Sequence, residues 1–281
     1  MPSLDSIVFA TRQRVAGNRR SANVRAWERM AAEHQPRGLR KHLQKGLRDG
    51  VAVIAELKKA SPSKGLIRAD FRAAELAKEL EQAGASALSV LTDEEFFQGS
   101  LENLQRASGA TGLPCLRKDF IVDEIQILEA RAHGADAILL IVAALGQGEL
   151  QSLERKAEAL GLDVLCEVHD EEELRCALDA GCDLIGVNSR DLRTFRVDLT
   201  TAFRLAERIP APCLRVAESG IHSGADVARL RAAGYDAFLI GESLMKAKDP
   251  GAALKDLLQE AASAAEGSDL KARAEKPRAA L

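Results

Sequence analysis

The sequence predicts an α/β protein, a (β/α)8 barrel with an N-terminal helical extension. Three observations carry that prediction. From Val51 onward, short apolar runs rich in β-branched residues alternate with longer stretches of helical spacing rich in Ala, Leu, Glu and Arg. Three helical stretches close on one phrase, Gln82-Ala83-Gly84-Ala85, Ala132-His133-Gly134-Ala135-Asp136 and Asp179-Ala180-Gly181-Cys182-Asp183, and Arg231-Ala232-Ala233-Gly234-Tyr235-Asp236 nearly repeats it. The glycine ends each helix by taking a left-handed conformation, after which the next strand begins. Polar and charged side chains also recur at the C-terminal ends of the apolar runs, the rim at which such barrels carry out their chemistry.

The elements follow in order. Residues 1–50 read as helical and basic and form an extension covering the barrel. Strands are predicted near 51–56, 86–91, 114–118, 136–142, 163–168, 183–188, 213–218 and 236–241. Helical patterns such as Ala73 to Leu80 and Ala225 to Leu230 lie between them. Eight such units make a catalytic barrel over residues 51–260, within a chain close to the ~250 residues usual for the fold. Residues 261–281 begin in an Ala/Ser-rich stretch and continue as a mixed charged tail, predicted to be disordered. A doubly wound open sheet is the alternative, but no Gly-rich dinucleotide fingerprint follows the first strand.

Bulk properties exclude several classes. The 281 residues are 46% hydrophobic and 29% charged, ordinary for a soluble globular protein, and a net charge of -3 gives no case for nucleic acid or an anionic membrane. No apolar stretch approaches the ~18 residues that span a bilayer. The N-terminus lacks a secretory layout, and Asp5, Glu28 and Glu33 oppose a transit peptide despite Arg12, Arg14, Arg19, Arg20, Arg25 and Arg29. A cytoplasmic location is therefore expected. None of the five cysteines forms a Cys-x-x-Cys pair, so they read as reduced thiols, with Cys115, Cys166 and Cys213 inside predicted strands. Oligomeric state, monomer or homodimer, is not encoded legibly.

Candidate chemistry gathers at the strand ends. Glu56 and Lys58, two apart on one strand, point to the same side. A surface ion pair explains them taken alone. Lys118 and Glu167, at the ends of the third and fifth strands, then place a second acid–base pair at the same rim. The two lysines depress each other and the two glutamates raise them again, a balance suited to proton transfer near neutral pH. Asn188 ends the sixth strand, and Arg190 offers either a clamp for a carboxylate or a structural pair with Asp191 or Glu167. Ser219-Gly220 and Gly241-Glu242-Ser243 follow the seventh and eighth strands, the loops at which barrels often hold phosphate. A short helix after Gly241 would add its positive end there. The loop Lys59 to Gly65, with Ser61 in it, reads as a mobile cover or an ordinary connector. Phe120 and Leu139 either face an aromatic substrate or belong to the core. No two of the five histidines have metal-ligand spacing; His169, two residues after Glu167, is the one that invites a direct role. Trp27 and Tyr235 read as structural.

Several segments together resemble the indole-3-glycerol phosphate synthase family. They are Ile54-Ala55-Glu56-Leu57-Lys58-Lys59-Ala60-Ser61-Pro62-Ser63-Lys64-Gly65, Leu91 to Ser100, Leu116-Arg117-Lys118-Asp119-Phe120-Ile121, Glu167-Val168-His169, Gly186-Val187-Asn188-Ser189-Arg190-Asp191-Leu192, Ala217-Glu218-Ser219-Gly220-Ile221 and Leu239-Ile240-Gly241-Glu242-Ser243-Leu244-Met245. They occur in family order across roughly residues 4–258. The resemblance implies a single TIM barrel acting as a carboxy-lyase of tryptophan biosynthesis on a phosphorylated small molecule, with no metal and no organic cofactor. It implies a catalytic set of Glu56, Lys58, Lys118, Glu167, Asn188 and Ser219. Ser61, Phe120, Leu139 and Arg190 would touch the anthranilate end or the body of the substrate, and the backbone around Gly220, Gly241 and Glu242 the phosphate. Ile125 stands where the family often has tyrosine, which implies a changed local contact rather than lost activity. The rival readings are another phosphate-binding barrel isomerase, a Schiff-base aldolase using Lys118 covalently, and a non-catalytic barrel that binds phosphometabolites.

Overall fold

The computed structural model describes residues 3–192 and 194–274. Eight parallel strands form a closed barrel: β1 (Ala52–Leu57), β2 (Ala87–Leu91), β3 (Cys115–Lys118), β4 (Ala137–Ile141), β5 (Asp163–Val168), β6 (Leu184–Asn188), β7 (Leu214–Glu218) and β8 (Ala237–Ile240). Sequence neighbours pair around the ring, and β8 closes it on β1, with Ala52 opposite Ala237 and Ala55 opposite Ile240. Every strand begins and ends within about one residue of its expected span, because a strand buried on both faces writes itself as an unbroken apolar run. Gly84, Gly134, Gly181 and Gly234 have φ of 100°, 85°, 92° and 102°, so each helix stops where the repeated phrase predicts.

Alternation along the strands divides the core into two layers. Val53, Ala55, Leu88, Ile138, Leu140, Ile185, Val187 and Phe238 point outward and pack beneath the surrounding helices. Ala52, Ile54, Leu116, Leu139, Leu165, Leu184, Val216 and Leu239 point inward and fill the barrel.

The N-terminal extension reaches both ends of that inner layer. It comprises α1 (Leu4–Ser21), α2 (Val24–Glu33) and α3 (Leu39–Asp49). Leu39 and Leu43 of α3 are buried against the inner layer near the strand starts, and the Arg40 amide donates to Asp163 Oδ2 at 3.0 Å, so α3 plugs the bottom. Leu4 and Ile7 of α1 join the inner layer at the opposite end. There Arg14 pairs with Asp93 at 3.1 Å and Asp119 at 3.6 Å, Arg12 with Glu149 at 3.0 Å and Arg19 with Asp123 at 3.0 Å.

Two segments extend beyond the repeating βα units. Within the loop Lys59 to Gly65, Ala60–Ser61 pairs antiparallel with Gly65–Leu66. The last helix runs Pro250–Ala274, past the expected end of the barrel at 260. At the barrel's edge Ala261 is buried in the outer layer and Glu260 Oε2 accepts the Gly224 amide at 3.0 Å. The rest of the tail, 275–281, lies outside the described residues. All five cysteines are free, four of them buried and Cys176 half-buried. Tyr235 is buried and donates to the Ala202 carbonyl at 2.8 Å, and Trp27 meets the His133 ring edge-on, as structural residues do. Among the described residues no helix is long and apolar enough to cross a membrane.

Candidate active site

The inward alternation continues to the C-terminal ends of the strands, and there it changes character. Above Ile54 comes Glu56, above Leu116 comes Lys118, above Leu165 Glu167, above Gly186 Asn188, and above Val216 Glu218. The register is staggered: Asn188 sits opposite Glu218, whereas Glu167 sits opposite Ile141 on one side and Gly186, one inward step below Asn188, on the other. These polar side chains rest on a dry core, at the mouth of the barrel.

Lys118 Nζ lies at the centre of this layer, 2.6 Å from Glu218 Oε2 and 2.9 Å from Glu167 Oε2. Lys58 forms a separate pair with Glu56 at 2.5 Å. Asn188 Oδ1 accepts the Arg190 amide at 3.0 Å, and its side chain also hydrogen-bonds Glu167. The site charges follow from these contacts. Burial lowers Lys118, but Glu167, Glu218 and Glu56 outweigh it and hold the ammonium above its ordinary value. Burial raises Glu167, but Lys118 and His169 hold it low, at about 2. Burial also raises Glu218, and with Glu167 and Glu56 nearby the pull of Lys118 does not compensate, leaving it at about 7. The group balanced near neutrality is therefore Glu218, and not a lysine as the sequence suggests. Lys118 serves two buried carboxylates, and Glu56, paired with Lys58, adds its charge from farther off, which leaves Glu218 without full compensation.

The mouth opens into a cavity of about 480 Å³. One wall is apolar and aromatic, with Phe97, Phe120, Leu139, Leu4, Ile7 and Leu192. Phe97 and Phe120 tilt toward each other with ring centroids 6.3 Å apart. Ser61 lines the cavity from the short hairpin, so that loop is part of the wall. At the far side, Ser219 and Gly220 are both left-handed, with φ of 64° and 77°, and the short helix Glu242–Lys246 starts directly after Gly241. Among the described residues Ser219 shares this conformation with only two other non-glycine residues, Gln98 and Phe195. Glu242 accepts Lys246 at 2.6 Å and faces Arg190 Nη2 at 3.6 Å and Lys64 at 4.0 Å. Arg190 therefore pairs with Glu242 rather than Glu167, and this corner of the cavity collects cations. Among the described residues no group of three or more His, Cys, Asp or Glu gathers so as to hold a metal ion.

All thirteen residues singled out from the sequence line this one cavity: Glu56, Lys58, Lys118, Glu167, Asn188, Ser219, Ser61, Phe120, Leu139, Arg190, Gly220, Gly241 and Glu242. The sequence places Glu218 at the rim beside Ser219 but gives it no role, and it does not point to the apolar wall from Phe97, Leu4 and Ile7. The alternation Leu214, Val216, Glu218 carries the signal for Glu218, since it repeats Ile54 to Glu56 in step. Nothing local marks Leu4 or Ile7, which reach the site only through tertiary packing.

Known proteins match this architecture. The family model described as indole-3-glycerol phosphate synthase matches residues 4–257. The indole-3-glycerol phosphate synthase of Koribacter versatilis (strain Ellin345) is 61% identical over 256 residues, 91% of this chain and 98% of that protein. That of Aromatoleum aromaticum (strain DSM 19018 / LMG 30748 / EbN1) is 50% identical over 259 residues, 90% of this chain and 98% of that protein. Among solved structures, a mandelate oxidase superposes with a TM-score of 0.60 at 20% identity, covering 78% of this chain and 74% of that one, which shows the barrel fold alone.

Proposed function

The chain belongs to the indole-3-glycerol phosphate synthase family, and from that premise we propose how its barrel mouth performs the family's reaction. It converts 1-(2-carboxyphenylamino)-1-deoxyribulose 5-phosphate to indole-3-glycerol phosphate, CO2 and water. The observation that carries the assignment of roles is the single ammonium of Lys118 held between two buried carboxylates beside an aromatic wall.

The aromatic ring packs against Phe97 and Phe120, and the phosphate lies across the Gly220 and Gly241–Glu242 backbone, where the first amides of a helix have no helical acceptor. Lys58 flanks that end, and so does Arg190, which its 3.6 Å contact with Glu242 draws there rather than to the anthranilate end or body that the resemblance implies. Bound at both ends, the substrate is folded so that its two reacting carbons meet. The ring carbon bearing the carboxylate then attacks the ribulose carbonyl carbon. Lys118 donates a proton to the carbonyl oxygen as it becomes a hydroxyl. The aniline nitrogen becomes an iminium, stabilised by the carboxylate layer. The bond to the carboxylate breaks, CO2 leaves, and its electron pair flows into the iminium.

Dehydration follows. Glu167, ionised at neutral pH, removes the proton from the carbon beside nitrogen, and Lys118 protonates the departing hydroxyl. Glu218 holds a proton around neutrality, 2.6 Å from Lys118, and resupplies it between the two donations. Glu167 returns its proton across the 2.9 Å contact at the end. One proton is consumed overall, matching the loss of a carboxylate as CO2. Glu56 keeps Lys58 in place and Asn188 orients Glu167. A Schiff-base aldolase needs a neutral lysine nucleophile, which the carboxylates around Lys118 oppose.

The test is turnover of the substrate by the purified chain, followed by indole fluorescence, with and without borohydride. Indole formation untouched by borohydride supports the scheme. Tight substrate binding without turnover would point to a non-catalytic barrel, and borohydride inactivation with substrate to covalent chemistry at a lysine.

A further inference from the structure

A second side chain at the end of β5, His169, reaches Glu167. The proposal rests on the assignment of Glu167 as the base, and adds to it the groups behind Glu167. His169 follows Glu167 by two residues, at the end of β5, and its imidazole is largely buried. Its Nδ1 is 2.9 Å from Glu173 Oε2, and the same oxygen accepts the His169 backbone amide at 2.8 Å. Glu173 lies on the helix Glu171–Asp179, which packs against β5 and is fixed at its start by the Asp170 side chain accepting the Glu173 amide. One carboxylate thus sets both the backbone and the ring of His169. The opposite nitrogen, Nε2, is buried, has no hydrogen-bond partner, and stands 3.5 Å from Glu167 Oε1. That oxygen is the one not engaged by Lys118, which takes Oε2.

We propose that His169 is a positioning residue for Glu167: Glu173 holds its Nδ1–H, and the ring presents a second N–H to Glu167 Oε1, the oxygen that Lys118 does not take, fixing the orientation and ionised state of the base. A buried imidazole between two carboxylates carries a proton at neutral pH more readily than one in water. Burial opposes that charge, while Glu173, Glu167 and, farther off, Glu218 favour it and prevail. Lys118, from β3, is the charged group on the far side of Glu167. Glu167 is therefore flanked by a cation at each oxygen. The 3.5 Å separation closes to a hydrogen bond once substrate excludes water from the mouth, since catalytic contacts tighten in the complex. A neutral side chain at 169 leaves Lys118 as the only cation on Glu167. The base then rotates more freely and shares less of its charge with a fixed partner.

The experiment measures kcat and KM for the full chain, His169→Asn, Glu173→Gln and Glu167→Gln, together with the NMR titration of the His169 ring in the full chain and in Glu167→Gln. We expect His169→Asn to lower kcat about tenfold or more with KM within about twofold, as for a group acting on an acid–base step. Glu173→Gln gives a smaller loss in the same direction. In Glu167→Gln the His169 midpoint falls by about one pH unit, because a neighbouring carboxylate has been neutralised. Wild-type kcat in His169→Asn, with Glu167→Gln inactive, overturns the role of His169 and leaves the base assignment intact. Full turnover in Glu167→Gln overturns the base assignment itself. A His169 midpoint unmoved by Glu167→Gln shows that the two groups are not coupled and also overturns the proposal. A purely structural histidine lowers the melting temperature without the kcat loss or the coupled titration.

Discussion

Gly186 makes room for the carboxylate of Glu218. A Cβ at position 186 would collide with Glu218 Oε1 and lie 3.3 Å from its Cδ and 3.2 Å from Leu165 Cδ1. The two residues sit on adjacent strands, with Gly186 facing inward beneath Asn188, which is itself paired in register with Glu218. Glu218 Oε1 has no hydrogen-bond partner, so the carboxylate is held by Lys118 on one oxygen and by shape on the other.

Gly186→Ala should therefore displace Glu218 from Lys118. Overpacking of this kind costs about 1–3 kcal/mol, a modest fall in melting temperature, whereas kcat should drop at least about tenfold. Thermal melts and steady-state kinetics check both. An alanine variant with full activity would show that Glu218 need not sit where it does.

Glu218 at about 7 predicts a pH effect with a definite direction. If its protonated form resupplies Lys118, kcat declines as pH rises through about 7. Glu218→Gln carries no titrating proton, so its kcat should be lower throughout and the decline near 7 should vanish. A pH profile over pH 5.5 to 9 on both proteins is the measurement. A decline that persists unchanged in Glu218→Gln assigns it to another group.

Arg14 fastens α1 over the mouth by reaching two buried carboxylates, Asp93 and Asp119. Burial already raises Asp93, with Asp119 adding to it and Arg14 opposing. A raised carboxyl favours the fold at low pH and loses that contribution as pH climbs through its folded value. Removing Arg14 raises Asp93 further, so Arg14→Ala should cost little near pH 4 and more near pH 7. Arg14 is itself part-exposed, so the neutral-pH loss should be about 1–2 kcal/mol, below that of a fully buried pair. KM should rise as α1 loosens. Denaturant titrations at the two pH values read the difference, and an equal cost at both would count against the latch.

Much of this was legible in the sequence for physical reasons. Parallel strands buried on both faces leave continuous apolar runs, and a glycine forced left-handed leaves the same phrase at each helix end. Glu56, Lys118 and Glu167 were readable because each terminates such a run. Glu218 terminates one too, but its partner Lys118 is 100 residues away and no local feature couples them. The aromatic wall hides for the same reason: Phe97 sits on a four-residue helix, Glu94–Phe97, and meets Phe120 only across the mouth. The balance of charge was misplaced onto the lysines because a sequence shows which charges are near the rim and not that Glu167 and Glu218 share the one ammonium of Lys118.

The central claim is that Lys118 is the principal acid, and the most direct measurement is the single-turnover rate of Lys118→Ala followed by indole fluorescence, with circular dichroism as a check on the fold. Loss of a positioned acid costs about 10²–10⁴-fold per step, and Lys118 serves two steps. The account predicts turnover reduced by at least about 10³-fold with an unchanged spectrum. A near-normal rate in a folded Lys118→Ala protein would contradict it and move the acid role to Lys58.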